Sequence, residues 1–426
     1  MPTTTTKNHL PRPLLAAVAL GCALAVGGAQ AQLTAEPAEP AAVAPLTLKS
    51  LFERAWERQP EAQSAALRRE SAQAARSGAS SLLAEPAALE LSRKSDRPGS
   101  NQGSREYDVG VALPLWLPGE RARKAALGDA EIKAVESRRL AAQLQLAATV
   151  REAWWTLQRA QAELGLAQDR LQNAQRLAAD VARRFKAGDM SRADQAQADS
   201  AVAQAEAAVA EATGARDVAQ AALAAWGGSV VLADGAEPEA EALPAAGLPA
   251  DHPSVADWND QAAVARRAAD LAAVQTRANP ELTVAATRGR EQAGERYLQS
   301  FTVGVRIPLG GGDRARAKET AARADALDAE VRARAEQDRL AADLAAATAR
   351  VKASQAQREA MARHAALARD TRGFIDKAFR LGEADWPTRL RVELEAVPAE
   401  RQLARARIDA AAAISTLRQA LGLLPQ

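Results

Sequence analysis

The residues capable of chemistry are few and scattered. Histidine occurs three times and cysteine once in 426 residues, and His9 and Cys22 fall within the first 31. His252 precedes Pro253 in a stretch without periodicity and reads as exposed. His364 sits on a helical stretch near Arg363 and Asp370 and reads as solvated or packed. A tight metal site needs several convergent His, Cys or carboxylate ligands, and no such cluster is readable. Gly310-Gly311-Gly312 has the permissive backbone of a phosphate loop but lacks its Lys-Ser/Thr, so it reads as a strand-to-helix turn. Nucleophile elbow, H-E-x-x-H and cysteine pair are all missing from the chain. The pattern predicts a protein that is not an enzyme, with no catalytic residue, cofactor or metal ligand.

The bulk numbers point toward export and long helices. Lys7 and Arg12 precede an apolar run over 14–26, and Ala29-Gln30-Ala31 offers a cleavage site, so residues 1–31 read as a signal peptide. Lipidation at Cys22 is the alternative processing, although Ala19-Leu20-Gly21 is a poor signal for it. Cleavage removes two of 55 basic residues and none of 53 acidic ones, so the mature chain is formally neutral and a weak candidate for nucleic-acid binding. With 3% aromatic residues and abundant Ala, Leu, Gln, Arg and Glu, the chain suits long helices meeting through narrow seams. Outside the N-terminus no apolar run reaches the length of a membrane helix, so any insertion would be by β-strands.

The elements come twice. Residues 109–123 read VGVALPLWLPGERAR and residues 303–316 read VGVRIPLGGGDRAR, with Val109 and Val303 194 positions apart. The same offset relates Pro86 to Pro280, Gly110 to Gly304, Pro114 to Pro308, Phe185 to Phe379 and Gly188 to Gly382. After a Pro/Ala-rich leader (32–45), the first repeat spans 46–228, a linker 229–252 and the second repeat 253–426. In each, a helix stops at a proline, two alternating strands flank a polar loop (93–106 and 288–296), and two long helices follow. Gly110, inside a strand, suggests a bulge or a close backbone approach. From Gly119 to Phe185 there is no proline, and Val150, Leu157, Leu164, Leu171, Ala178 and Phe185 keep a seven-residue period, which is coiled-coil packing.

Strands of about ten residues with one apolar face fit two architectures. One is a small sheet packed on the protein's own helices; the other is tilted transmembrane strands. The export signal and the lack of other large apolar surface favour the second. Four strands cannot close a barrel, so strands that enter lipid require an oligomer.

The two strand exits, VGVALPL and VGVRIPL, and the two F-x-x-G helix interruptions at Phe185-Gly188 and Phe379-Gly382 resemble the TolC family of outer-membrane channel proteins over roughly residues 46 to 422. The resemblance implies a mainly α fold with four strands: a long α-helical coiled-coil barrel plus a β-barrel shared by a homotrimer in outer-membrane lipid. It implies an exit duct working with a periplasmic adaptor and an inner-membrane resistance-nodulation-division (RND) pump. The strand exits look most like the branch that includes heavy-metal exporters. On this view Gly110, Pro114, Gly304 and Pro308 shape the barrel-to-tunnel joint, while Phe185, Gly188, Phe379 and Gly382 shape helix breaks in the wall. The resemblance also places periplasmic hairpin tips near Gly165 and near Arg358-Glu359, against the unbroken heptad through Gly165. Asp169 and His364 would then line the entrance, where rings of like charge filter ions. Two alternatives stand beside this reading: the duct of a type I protein secretion system, and a periplasmic coiled-coil adaptor without a pore.

Overall fold

A computed structural model describes residues 47–97, 99–228, 240–244 and 252–426. The signal peptide, Cys22, the leader and most of the 229–252 linker lie outside the described residues. The elements run α1 (Leu48–Glu57), α2 (Pro60–Gly78), β1 (Ala88–Ser95), β2 (Arg105–Pro114), α3 (Glu120–Ala187), α4 (Arg192–Gly227), α5 (Pro253–Val274), β3 (Glu281–Arg290), β4 (Leu298–Arg306), α6 (Gly312–Leu381) and α7 (Trp386–Ala420).

Local sequence sets the helix ends. Thr47 and Ser50 close a reciprocal capping box on α1, and Gln59-Pro60 starts α2 with proline at its first position, where no backbone donor is lost. With 68 and 70 residues, α3 and α6 are each about 100 Å long. Both pass unbroken through the positions expected to turn, Gly165 and Arg358-Glu359. The hairpins reverse instead at the F-x-x-G motifs. Gly188 (φ +88°) and Gly382 (φ +81°) take the left-handed conformation that ends a helix. The Asp189 and Glu383 amides close back onto the Arg184 and Ala378 carbonyls, each at 2.9 Å. Restart signals follow at once: Ser191 and Asp194 cap α4 reciprocally, and Asp385 accepts from the Thr388 amide at 3.0 Å to cap α7. One interior glycine costs only about 1 kcal/mol, far too little to turn a helix that has no cap to restart it.

α4 and α7 return along the far half of their long partners, while α1–α2 and α5 occupy the half nearer the strands. The seams are narrow. Ala198, Ala205 and Ala219 in α4, Ala326, Ala333 and Ala347 in α6, and Ala399, Ala406 and Ala413 in α7 are buried at multiples of seven. The largest core forms midway along α3. There Leu146, Val150, Trp154 and Leu157 meet Leu51 and Phe52 of α1, Leu223 of α4 and Ile408 of α7. No described helix is long and apolar enough to cross a membrane.

The four strands form one antiparallel sheet in the order β1-β2-β3-β4, and β2 pairs with β3 from Arg105↔Arg290 to Pro114↔Glu281. The ladders reach further than alternation suggested. Arg93–Ser95, Arg105-Glu106 and Arg288–Arg290 are strand rather than loop, because cross-strand backbone bonds extend past the last apolar pair. Gly110 makes no bulge. It stays in register between Glu90 and Ala285, and a side chain there would meet the Ala285 Cβ at 3.2 Å.

The turn positions have opposite expectations for alanine. Gly188→Ala and Gly382→Ala force a left-handed backbone on a residue with a Cβ and should each cost about 1 kcal/mol. Gly165→Ala, inside a helix with open space around it, should stabilise by roughly 0.5–1 kcal/mol. Thermal unfolding followed by circular dichroism checks both signs, which would reverse if the chain turned at Gly165.

Candidate functional site

Three junctions hold the helices and strands together: the strand-to-helix joint, the hairpin tips and the mid-height hub. At the joint, Glu120 opens α3 and is buried. Its Oε2 accepts from the Leu117 amide at 3.0 Å and from Asn279 Nδ2 at 2.8 Å, and its Oε1 accepts from Gln275 Nε2 at 2.7 Å. Asn279 also donates to the Leu115 carbonyl at 2.9 Å, and the Leu115 amide donates to the Pro280 carbonyl at 2.7 Å. One carboxylate thus fastens the exit of β2 to the segment that enters β3. Pro114 is the last residue of its ladder and Pro308 lies just past β4, where a missing donor costs nothing. Gly110 and Gly304 sit within the strands, not at the joint. A Cβ on Gly304 would stand 2.9 Å from Thr283 Oγ1.

At the tips, Phe379 is buried with Val181, Ala198 and Trp386, so all four long helices share one small core. The Arg184 and Arg389 guanidiniums lie 4.3 and 4.6 Å from the Phe379 ring centre. Arg389 also pairs with Asp376. Phe185, its counterpart, is only half-buried. Asp169 and His364 are exposed on α3 and α6, roughly 28 and 27 Å along the helix from Gly188 and Gly382. They leave the entrance because the turn they were tied to lies elsewhere.

The hub was invisible in sequence. Glu241, from the stretch read as linker, is buried with its Oε1 and Oε2 held by Arg151 at 2.8 and 3.0 Å and with Arg418 Nε at 3.2 Å. Arg151 also donates to Gln419 Oε1 at 2.6 Å. Burial pushes the Glu241 carboxyl up, but the hydrogen bonds and charge of Arg151, then Ser415 and Arg418, outweigh it and hold the pKa below the ordinary carboxylate value. His252 is buried rather than exposed. Its Nδ1 accepts from the Ser254 amide at 3.2 Å and caps α5. Burial lowers its pKa below the ordinary 6.5, and the Ala420 backbone offsets only part of this.

The sheet divides its charges by face. Leu89, Leu91, Val109, Val111, Leu113, Leu282, Val284, Phe301, Val303 and Val305 share one side, since cross-strand partners share a face. Most are exposed, with Phe301 at 82% and Val303 at 70%. The strand carboxylates, Glu90, Glu106, Asp108 and Glu281, all lie on the other side, where Asp108 accepts from Ser92 and Thr287, each at 2.6 Å. Among the described residues no group of three or more His, Cys, Asp or Glu is placed to hold a metal ion.

Residues 51–229 match the family model described as outer membrane efflux protein. Over this stretch, less than half of the chain, the sequence is similar to that family. Solved structures extend the likeness along the described chain. VceC, an outer membrane protein of Vibrio cholerae, superposes with a TM-score of 0.70 at 18% identity, covering 88% of this chain and 96% of its own. CusC, whose structures concern transmembrane channel formation, gives 0.71 at 18%, covering 89% and 93%. The open MtrE outer membrane channel of Neisseria gonorrhoeae gives 0.67 at 19%, covering 88% and 89%. At these identities the likeness shows the fold, which is the TolC-like one. A comparison with curated proteins gives no match.

Two variants probe the hub. Glu241→Gln leaves two buried guanidiniums without their carboxylate and should cost about 3–5 kcal/mol in denaturant unfolding. His252 has a depressed folded pKa, so its contribution is complete above pH 6.5 and is lost as pH falls below that value. Melting temperature should therefore drop between pH 7.5 and 5.5. The drop should shrink in His252→Asn, which keeps an uncharged cap.

Proposed function

We propose that this chain is one subunit of a trimeric outer-membrane channel, the exit duct of a tripartite efflux system. The sheet carries the proposal: its apolar face is exposed, and β1 and β4 have free edges. Backbone groups in lipid must all be paired, so such a sheet enters a membrane only inside a closed ring. Three chains would contribute twelve strands, an even number suited to a barrel. The apolar face would meet lipid and the carboxylate face the water-filled interior. The helices, about 100 Å long, would continue the duct through the periplasm.

The duplication supplies the missing contacts. β2 and β4 correspond at an offset of 194, whereas Leu91 and Val284, which pair with Val109 and Val303, are 193 apart. Carrying Val109↔Ala286 through these offsets pairs Val303 of one subunit with Arg93 of the next, and likewise Val305 with Leu91. This register keeps every apolar residue on the same face.

The hairpin ends at Gly188 and Gly382 would meet the periplasmic adaptor, which links the duct to an RND pump in the inner membrane. The strand exits VGVALPL and VGVRIPL support the heavy-metal branch, with metal ions as cargo passed on rather than held. The chain performs no catalysis on this reading.

Leu91→Cys with Val305→Cys should cross-link between subunits in isolated outer membranes, giving a ladder that stops at three. A soluble monomer would sink the proposal. Deleting the gene should sensitise cells to cobalt, zinc or cadmium salts. Sensitivity confined to organic drugs would keep the duct and remove the metal branch.

A further inference from the structure

One end of the apolar sheet face is different from the rest. Beyond Val109, Ala286 and Phe301 the same side carries Arg93, Tyr107, Arg288 and Gln299, then Arg105 and Arg290. These four arginines are the only charged strand residues on that face. None of the four forms an ion pair with a described carboxylate, because the strand acids all point the other way. Arg93 lies 5.7 Å from the Tyr107 ring centre, and Arg288 and Arg290 lie 5.1 and 5.2 Å from that of Tyr297. The two rings are 6.4 Å apart. Arg290 also donates to the Gly103 carbonyl at 3.2 Å, which ties it to the β1–β2 loop. Between strands β2, β3 and β4 a hollow of about 530 Å³ is lined by Tyr107, Val109, Ala286, Arg288, Tyr297 and Phe301, among others. Val109, Ala286 and Phe301 line it on the helix side, and Arg288 is the one arginine in its lining.

From this arrangement we infer a seat for the phosphorylated headgroup of a membrane lipid in the leaflet at the loop end of the barrel. The inference rests on the channel reading, in which this face meets lipid. Tyr107 to Leu115 spans nine residues, about the length of a tilted transmembrane strand, which puts the Arg93–Tyr107–Arg288 row at the headgroup level. Arginines on a lipid-facing surface are costly at the membrane midplane and much less so at its interface. There their forked donors match phosphate oxygens. Stacking against tyrosine holds the guanidiniums in place without neutralising them. Val109, Ala286 and Phe301 would take the first methylenes of the acyl chain, and the tyrosine hydroxyls would face the sugar or glycerol.

The test uses the full-length trimer purified in a neutral detergent. Native mass spectrometry compares retention of diphosphorylated lipid A, its dephosphorylated form and a zwitterionic phosphatidylcholine. Phosphorylated lipid A should be retained preferentially. The triple variant Arg93→Gln/Arg288→Gln/Arg290→Gln should weaken retention on the order of a hundredfold, each charge at a membrane surface giving a factor of about five. Lys94→Gln/Arg306→Gln, on the opposite face, should retain the lipid as the parent does, and Arg93→Lys/Arg288→Lys/Arg290→Lys should fall between. Equal retention of the dephosphorylated lipid, or full displacement by inorganic phosphate alone, would overturn the inference. A trimer that inserts but shows no headgroup preference removes this site only; a chain that neither trimerises nor enters lipid removes the channel reading as well.

Discussion

Ten residue pairs between β2 and β3 hold the two repeats side by side, and the rest of the described structure is arranged around that ladder. The two strands belong to different repeats and are separated by α3, α4 and α5 in sequence, so this is the most non-local backbone contact in the sheet. Its register decides which side chains share a face, because a slip of one residue would send every apolar residue to the other side. It also aligns α3 with α5, so that Glu120 can accept from Asn279 and Gln275 across the repeat boundary. With the ladder in place, one carboxylate is enough to carry the chain from strand to helix without leaving buried donors unpaired.

Below the joint the adhesive changes. Alanine seams let the helices approach closely but bury little apolar area per residue, so they contribute alignment more than stability. The large apolar side chains are concentrated at mid-height, where tryptophans and leucines from four helices meet and Arg151, Glu241 and Arg418 lie alongside. A buried ion cluster is weak evidence for net stability, since desolvation consumes much of the Coulomb gain. What it does provide is position: Glu241 draws a segment between the repeats onto α3 and α7 by bonding guanidiniums from both.

The fold was legible where a local signal repeats. The change of hydrophobic period marked each strand pair, and the proline-free heptad line marked α3. Behind the F-x-x-G interruptions, Ser191-x-x-Asp194 and Asp385-x-x-Thr388 restart the chain as helix, whereas the resemblance implies tips near Gly165 and Arg358-Glu359. The unbroken heptad was the better guide, because a turn needs both a stop and a restart and those positions have neither. Glu241 and His252 could not have been read: a lone acid and a lone histidine in an aperiodic stretch look alike whether solvated or buried. The joint was half visible, with its prolines in the duplicated motif and its Asn279 and Gln275 partners supplied by a segment 155 or more residues away.

The uneven spread of burial has a consequence for how the helices come apart. With the main cluster at mid-height and only a four-residue core at the tips, opening free energy must fall along each hairpin with distance from the hub. The amides of the far half should exchange with solvent through fraying that starts at the turn and runs toward the centre, while those around Val150 and Trp154 exchange only when the whole fold lets go. The helical hairpins behave as zippers clasped in the middle, able to loosen at their ends without losing the part that defines their shape.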